Sequence, residues 1–352
     1  MERATRVIAG DTPGVSYSFE VLTFKGNDPK APSAYLQAAL HGGEFPGVAA
    51  IHFLVPMLET AEKAGLIAGD ITIVPMANPI GSSQWLFGDP QGRFDLFSRV
   101  NFNRDHFALP DFDTSSLPAL DAPVEAAVRL KAELLRLALP HEIILDLHCD
   151  FESEQYMYVP KAFWPGMRDL AAALGCKAVL TWEGTADFAF EEAAATPALA
   201  TGADAPQYKR RAVTTVEFKG LADVSAEKGR EDAKGLYDFL IHRGAVKGKS
   251  RVKPEAFDGP VTPLENVEMI RMPAGGMVLY HVNVGDVVKK GAKLATIVTK
   301  PGNVSGDVIV TAPQAGRILT RREYRFLPRA DDLIKLLGAK RSATAKPGSL
   351  ES

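Results

Sequence analysis

Between residues 33 and 244, short continuous apolar runs alternate with segments whose apolar residues recur every three or four positions. This is the pattern of a sheet flanked by helices. The runs at 34–40, 70–76, 143–148, 155–159, 177–182 and 212–218 read as strands. Between them, FPGVAAIHFLVPMLETAEKAG has helical spacing interrupted by Pro56. APVEAAVRLKAELLRLAL predicts an amphipathic helix with its basic and acidic residues on the outer face. A third helix, SAEKGREDAKGLYDFLIHRG, opens on Ser225 as its N-cap and stops at Gly244.

The pattern then changes. VKGKSRVKPEAFDGPVTP, rich in Lys, Pro and Gly, reads as a linker. From about residue 265 onward the chain shows short strands and Gly-centred turns. This region resembles the barrel-sandwich hybrid fold of biotinyl and lipoyl domains through VGDVVKKGAKL and APQAGRI. The modifiable lysine of those carriers has no counterpart in VSGDVIVTAPQAG, so a carrier role is not expected. The expected fold class is therefore α/β, a mixed twisted sheet flanked by helices, with a smaller all-β C-terminal domain. Residues 1–250 form the first unit, 251–340 the second, and 341–352 a disordered tail.

Composition narrows the function classes. With 352 residues, 46% of them hydrophobic and 24% charged, the chain is an ordinary globular protein long enough for two domains. A formal charge of -3 gives no electrostatic case for nucleic acid. The N-terminus MERATRVIAGDTPG lacks the apolar core of a signal peptide, and no run is long enough for a membrane span, so a cytoplasmic protein is expected. The two cysteines, Cys149 and Cys176, cannot make a disulfide framework. Cys149 should point away from its neighbour His148 and serve as a small hydrophobe.

Chemistry concentrates at strand ends. SAYLQAAL runs into His41 and Glu44, and EIILDL runs into His148. Two imidazoles and a carboxylate, with one coordination position left over, make a catalytic rather than a structural zinc site. Ligands in open α/β sheets collect at the carboxyl ends of strands. Gly42 and Gly43 are expected to turn the backbone sharply enough for both side chains to converge. Glu217 is a lone carboxylate in the apolar, β-branched strand TTVEFKG. It reads either as a general base near the metal or as an outward-facing residue of an edge strand. In GDPQGRFDLFSRVNFNRDHF, the adjacent Asn103 and Arg104 offer an amide and a guanidinium fork for a substrate carboxylate. Arg93 or Arg99 offers positive charge for an oxyanion; otherwise these arginines are solvated surface residues.

His-x-x-Glu, a later strand-end His, an intervening Asn-Arg pair and a final strand Glu together resemble the succinylglutamate desuccinylase/aspartoacylase family of the zinc carboxypeptidase clan. The resemblance spans roughly residues 33 to 244. It implies that His41, Glu44 and His148 hold one zinc ion per chain, that Glu217 is the catalytic carboxylate, and that Asn103 and Arg104 hold the substrate carboxylate. It also implies that Arg93 polarises the scissile carbonyl, with Arg99 as the alternative. The chain departs from the family pattern where His-Gly-Asp-Glu or His-Gly-Asn-Glu becomes His41-Gly42-Gly43-Glu44. It departs again where Asp-Leu-Asn-Arg becomes Asn101-Phe102-Asn103-Arg104, and where DLHTG becomes DLHCD. These changes fall beside the reacting groups.

The leading reading is a zinc-dependent amidohydrolase acting on an N-acyl amino acid or similar small carboxylate. The alternatives are a metallocarboxypeptidase and a non-catalytic metal-binding scaffold. The expected partner is a small substrate bearing a carboxylate, with no nucleic acid or membrane; self-association is left open. His52, His141, His242 and His281 read as structural or exposed, and His106 as an accessory near the site. In TWEGTADFAFEEAAA, residues Glu183, Glu191 and Glu192 are candidates to favour a cationic amino group on the substrate, against the alternative of a solvated face.

Overall fold

The structure is a computed structural model that describes residues 1–184, 187–202, 208, 210–345 and 350. All six expected strands are present, as Ala34–Ala38, Ile71–Val74, Ile143–Asp150, Tyr156–Pro160, Ala178–Trp182 and Ala212–Gly220. Almost every residue in them is buried, and strands covered on both faces read as unbroken apolar runs. They belong to one nine-stranded sheet. From one edge the order is Glu2–Ala9, Ser16–Phe24, Ile71–Val74, Ala34–Ala38, Ile143–Asp150, Ala212–Gly220, Tyr156–Pro160, Ala178–Trp182 and Val261–Pro263. The four strands from Ile71–Val74 to Ala212–Gly220 run parallel, so their carboxyl ends share one rim.

Helices cover both faces. Pro46–Lys63 packs with Ala226–Arg243, and Ala126–Ala138 packs with Phe190–Thr201. The Ser225 hydroxyl accepts from the Lys228 N–H, and Gly244 ends that helix at φ 83°, the left-handed conformation that glycine adopts without strain. Leu147 meets Gly47 of the first helix pair, whereas the alternate residue Asp146 faces toward Glu191 of the second.

Two expectations need correction. The helix Ala126–Ala138 does not turn its charges to solvent, because Arg129, Lys131 and Glu133 are buried. The N-terminal hairpin, which alternates polar and apolar residues at the sheet edge, helps to cover it: Arg129 donates to the Ala9 carbonyl at 2.8 Å, and Arg6 pairs with Glu133 at 3.1 Å. The linker is also not wholly a linker. Its segment Val261–Pro263 adds a parallel strand beside Ala178–Trp182, and Phe257 is buried beneath Arg168.

Beyond it lie two antiparallel layers to which this region gives four strands each, around a separate core that includes Val278, Leu294, Ile297, Ile318 and Leu336. This β region docks just after the His148 strand. Glu152–Ser153 pairs with Gly316–Arg321, Glu154 takes a two-pronged contact from Arg317 at 2.5 and 2.6 Å, and Arg321 and Arg325 both reach Glu152. Ser342, at the start of the expected tail, is buried and donates to Glu268 at 2.5 Å. Among the described residues, no helix is long and apolar enough to cross a membrane.

Candidate active site

The chain leaves strand Ala34–Ala38 through Ala39, at φ 56°, and reaches His41 and Glu44 before Pro46 opens the first helix. The left-handed residue of this turn is therefore Ala39; neither Gly42 nor Gly43 has a positive φ. Gly42 is needed for close approach instead. A Cβ there would lie 2.3 Å from the Ser82 nitrogen, and one on Gly92 would lie 2.4 Å from the Gly43 nitrogen. The Gly42 N–H donates to the Gly92 carbonyl at 2.8 Å, which seats the loop bearing Arg93 directly on the His41–Glu44 turn.

His148 lies on the adjacent parallel strand, and its in-register neighbour on the next is Glu217. Parallel pairing thus brings three distant segments to one rim. His41 Nδ1 and His148 Nδ1 each lie 2.8 Å from a different oxygen of Glu44. The other ring nitrogens face acceptors: His41 Nε2 is 2.8 Å from Asn101 Oδ1, and His148 Nε2 is 2.9 Å from Asp146 Oδ2. Asn101 Oδ1 also accepts from the Asn103 N–H at 2.9 Å, so it is the amide oxygen and His41 Nε2 must donate to it. Both Nε2 atoms thus carry hydrogen, and both Nδ1 atoms converge on a carboxylate. The Glu44 carboxylate and the two Nδ1 atoms can share either a proton or a cation, and candidate ligand atoms of His41, Glu44 and His148 all lie within 4.8 Å of one another. The set fits a divalent metal, with Asn101 and Asp146 fixing the tautomers.

The electrostatics agree. Burial opposes ionisation of Glu44, but the two imidazoles and their hydrogen bonds outweigh it and hold its pKa well below the usual carboxylate range. Burial also works against a charge on His148, yet Asp146 and Glu44 raise its pKa well above the ordinary value. At His41 burial prevails, with Arg93 adding to it, and the pKa is lowered. Glu217 has the opposite shift from Glu44: burial and then the nearby Asp150 charge push it well above the usual range. Its Oε2 has no hydrogen-bond partner among the described residues.

Arg93, Asn103, Arg104 and Glu217 line the same cavity as His41, Glu44 and His148. Arg93 Nη1 is 3.5 Å from both His41 Nδ1 and Glu44 Oε1. Arg99 is exposed, in a left-handed turn closed by Asp95, and does not line the cavity. Asn103 is buried, its Oδ1 accepting from the Phe190 N–H at 2.7 Å, which ties the loop to the helix Phe190–Thr201. Lys131, one of the unexpectedly buried charges, supports the same loop by donating to the Arg104 carbonyl at 2.7 Å.

Other candidates separate from the site. His106 is buried against Phe190 behind the loop and off the cavity, its pKa well lowered by burial and by Lys131. His141 bonds Thr72, His242 bonds Ser250, His281 bonds Thr296, and His52 is exposed. Glu183 is exposed and pairs with Lys161, whereas Glu191 and Glu192 line the cavity. Cys149 is buried as expected but does not leave the site, since it lines the same cavity and its backbone N–H donates to Glu44 Oε2 at 3.2 Å.

Asp146, Asn101 and Lys335 were not picked out from sequence. Asp146 had a usable signal, since it lies two residues before His148 on a strand and so shares its face. Lys335 had none. It comes from the C-terminal β region, is 1% exposed, and places Nζ 2.5 Å from Asp150 Oδ2 and 3.1 Å from the Tyr156 hydroxyl.

Residues 30–243 match the sequence profile of the succinylglutamate desuccinylase/aspartoacylase catalytic domain. The chain belongs to this family. Among curated proteins none matches it. Among solved structures it is similar to a succinylglutamate desuccinylase/aspartoacylase family protein from Shewanella amazonensis SB2B, at 25% identity and TM-score 0.82, covering 96% of this chain and 98% of that one. The product-bound ectoine utilization protein EutE from Ruegeria pomeroyi shares the fold at 20% identity and TM-score 0.68, covering 94% and 91%. The family assignment covers the three candidate metal ligands, Arg93, the Asn103–Arg104 pair and Glu217, all of which lie within the matched residues.

Proposed function

We propose that this family member is a zinc-dependent hydrolase that cleaves the amide bond of an N-acyl amino acid or a similar small carboxylate. The observation that carries the reading is Glu217, a buried carboxylate with one oxygen unpartnered among the described residues, in register with His148 and lining the same cavity as the His–Glu–His cluster. His41, Glu44 and His148 would hold the metal. When bound, zinc polarises a carbonyl oxygen and acidifies a water molecule. Glu217 takes the proton of the attacking water and passes it to the departing nitrogen, a task that suits a carboxylate whose proton affinity burial has raised. Arg93, beside Glu44, supplies positive charge where the oxyanion develops. Arg104 and Asn103 hold the substrate carboxylate, which fixes the acyl group relative to Glu217.

A small substrate is favoured over a peptide because the β region docks on residues 150–154, directly after the His148 strand. The test is metal analysis of the purified protein together with amine release from a panel of N-acyl amino acids and C-terminal peptides. Zinc near one per chain with amine released from an acyl amino acid is expected, and Glu217→Gln should retain the metal while lowering turnover by about 10²–10⁴-fold. Release from peptides alone would favour the carboxypeptidase. Full metal with no turnover on any compound would favour the scaffold.

A further inference from the structure

Two loop tips on the segment that carries Arg93 hold large apolar side chains in solvent. Trp85, Leu86, Phe87, Phe94, Leu96 and Phe97 are all exposed, six large apolar residues within thirteen positions. The first tip is a hairpin in which Trp85 pairs with Pro90 and Leu86 with Asp89. Its turn residues Phe87 and Gly88 have φ of 52° and 92°, both positive as a type I′ turn requires, and such positions favour Asn, Asp or Gly. A phenylalanine there is strained as well as wholly exposed. The second tip is equally well defined, because the buried Asp95 carboxylate accepts from the Ser98 N–H at 3.0 Å and from its hydroxyl at 2.7 Å. Gln84 joins the two tips, donating to the Gln91 and Phe94 carbonyls at 2.7 Å and accepting from the Leu96 N–H at 2.9 Å. Hydrogen bonds, rather than packing, thus fix this apolar surface in place.

Beside the first tip lies a groove lined by Phe19, Val55, Met76 and Pro79, and also by Ser82 and Ser83, which shortly precede Trp85 in the chain. A knob and a recess side by side on one surface are self-complementary, because a two-fold axis between them sets each copy's knob in the other's recess. The outward charges have the same property. Asp95 is buried and Arg93 lines the cavity, which leaves Asp89 and Arg99, one acid and one base, exposed on the tips. Neither forms an ion pair among the described residues. Across a two-fold axis, Asp89 of each copy can meet Arg99 of the other. A lipid surface would be served by surrounding cations instead, and would leave the groove unfilled. A strongly charged partner would find no net charge here to complement.

We propose that two copies of this chain meet on this surface, as an isologous dimer in which the Phe87 tip of each is seated in the groove of the other and Asp89 faces Arg99 across the axis. Burial of the Phe87 ring offsets the strain of its turn. The proposal is independent of the deacylase reading. It bears on the cavity all the same, because Gln84 ties both tips to the segment that bears Arg93, so that each copy steadies the other's loop beside the metal candidates.

The test is sedimentation equilibrium of the full-length protein, where a species of twice the chain mass is expected at micromolar concentration. Phe87→Asp on the knob and Met76→Arg in the groove should each raise the dimer dissociation constant by about 100-fold or more. Asp89→Arg alone and Arg99→Asp alone should each weaken the dimer about tenfold, and the double variant should return to within about threefold of the parent. Phe326→Asp, at an exposed apolar residue of the β region, should leave the dimer unchanged. Phe87→Gly, which relieves the turn, should weaken the dimer while its monomer keeps a thermal midpoint at least equal to that of monomeric Phe87→Asp; this separates loss of the interface from loss of folding. A chain that stays monomeric at high micromolar concentration overturns the proposal. So does a dimer that Phe326→Asp breaks and Phe87→Asp leaves intact. Binding of a monomeric chain to phosphatidylcholine vesicles, lost in Phe87→Asp, would assign the tips to a lipid surface and overturn it as well.

Discussion

Acidic residues near the His148 strand are handled in opposite ways in the cavity and at the junction between the two folded regions, with Asp150 on the boundary of both. At the junction, Asp150, Glu152 and Glu154 each meet a cation from the β region: Lys335, the Arg321 and Arg325 pair, and Arg317. In the cavity, Glu217 and Glu191 each keep an oxygen with no partner among the described residues. The junction acids are satisfied within the fold and hold two regions together. Those in the cavity each keep one buried oxygen without such a cation. Pairing separates the two groups of carboxylates better than burial does, because Asp150 and Glu217 are almost equally buried.

The largest effect that would break this contrast is at Lys335. Replacing it by Met leaves the Asp150 carboxylate buried without its cation and should cost about 3–5 kcal/mol in urea unfolding. Adding Asp150→Asn should recover much of that loss. A benign Lys335→Met would mean that the junction pairs are not what secures the β region.

His141 sharpens the contrast from outside both regions. It is buried with Thr72 as its neighbour and has its pKa lowered to about 4, chiefly by burial. Its stabilising contribution is full above the unfolded value of 6.5 and is lost as pH falls toward 4, because the unfolded chain takes up the proton first. The loss should reach roughly 3 kcal/mol near pH 4, and His141→Gln should flatten that part of the stability profile. An unchanged profile would mean that the imidazole gains a partner when charged. The smallest expected effect is at Asp146, where Asn in place of the carboxylate should weaken metal affinity about 10–100-fold by competition with a chelator. No change would mean that Asn101 and the packing of the ring suffice to orient His148.

Much of this was legible before the fold was known. The six central strands were readable because each is buried along nearly its whole length, and the metal candidates were readable because His41 and Glu44 follow one such strand and His148 lies near the end of another. The Ser225 cap and the Gly244 stop also follow from residue type alone. What escaped detection depended on distant cover. Arg129, Lys131 and Glu133 have the sequence of a solvent-facing helix surface, and only the N-terminal hairpin and the site loop make them interior. The helix Phe190–Thr201 has no side-chain cap and contains Pro197, so its start, and with it the placement of Glu191, was not marked by any local signal. Lys335 is 185 residues from Asp150, a separation that no local pattern spans.

The contact of Gly42 with Gly92 and Ser82 also determines where the site can change. Backbone rests on backbone there, so the Arg93 loop and the ligand turn form one mechanical piece, and any larger residue at 42 or 92 would wedge them apart. Gly43, between the two ligands, is different. A Cβ on it would meet no atom within 4 Å. It is a built-in attachment point, where a polar side chain or a reporter group can be added beside the ligands without displacing the surrounding backbone.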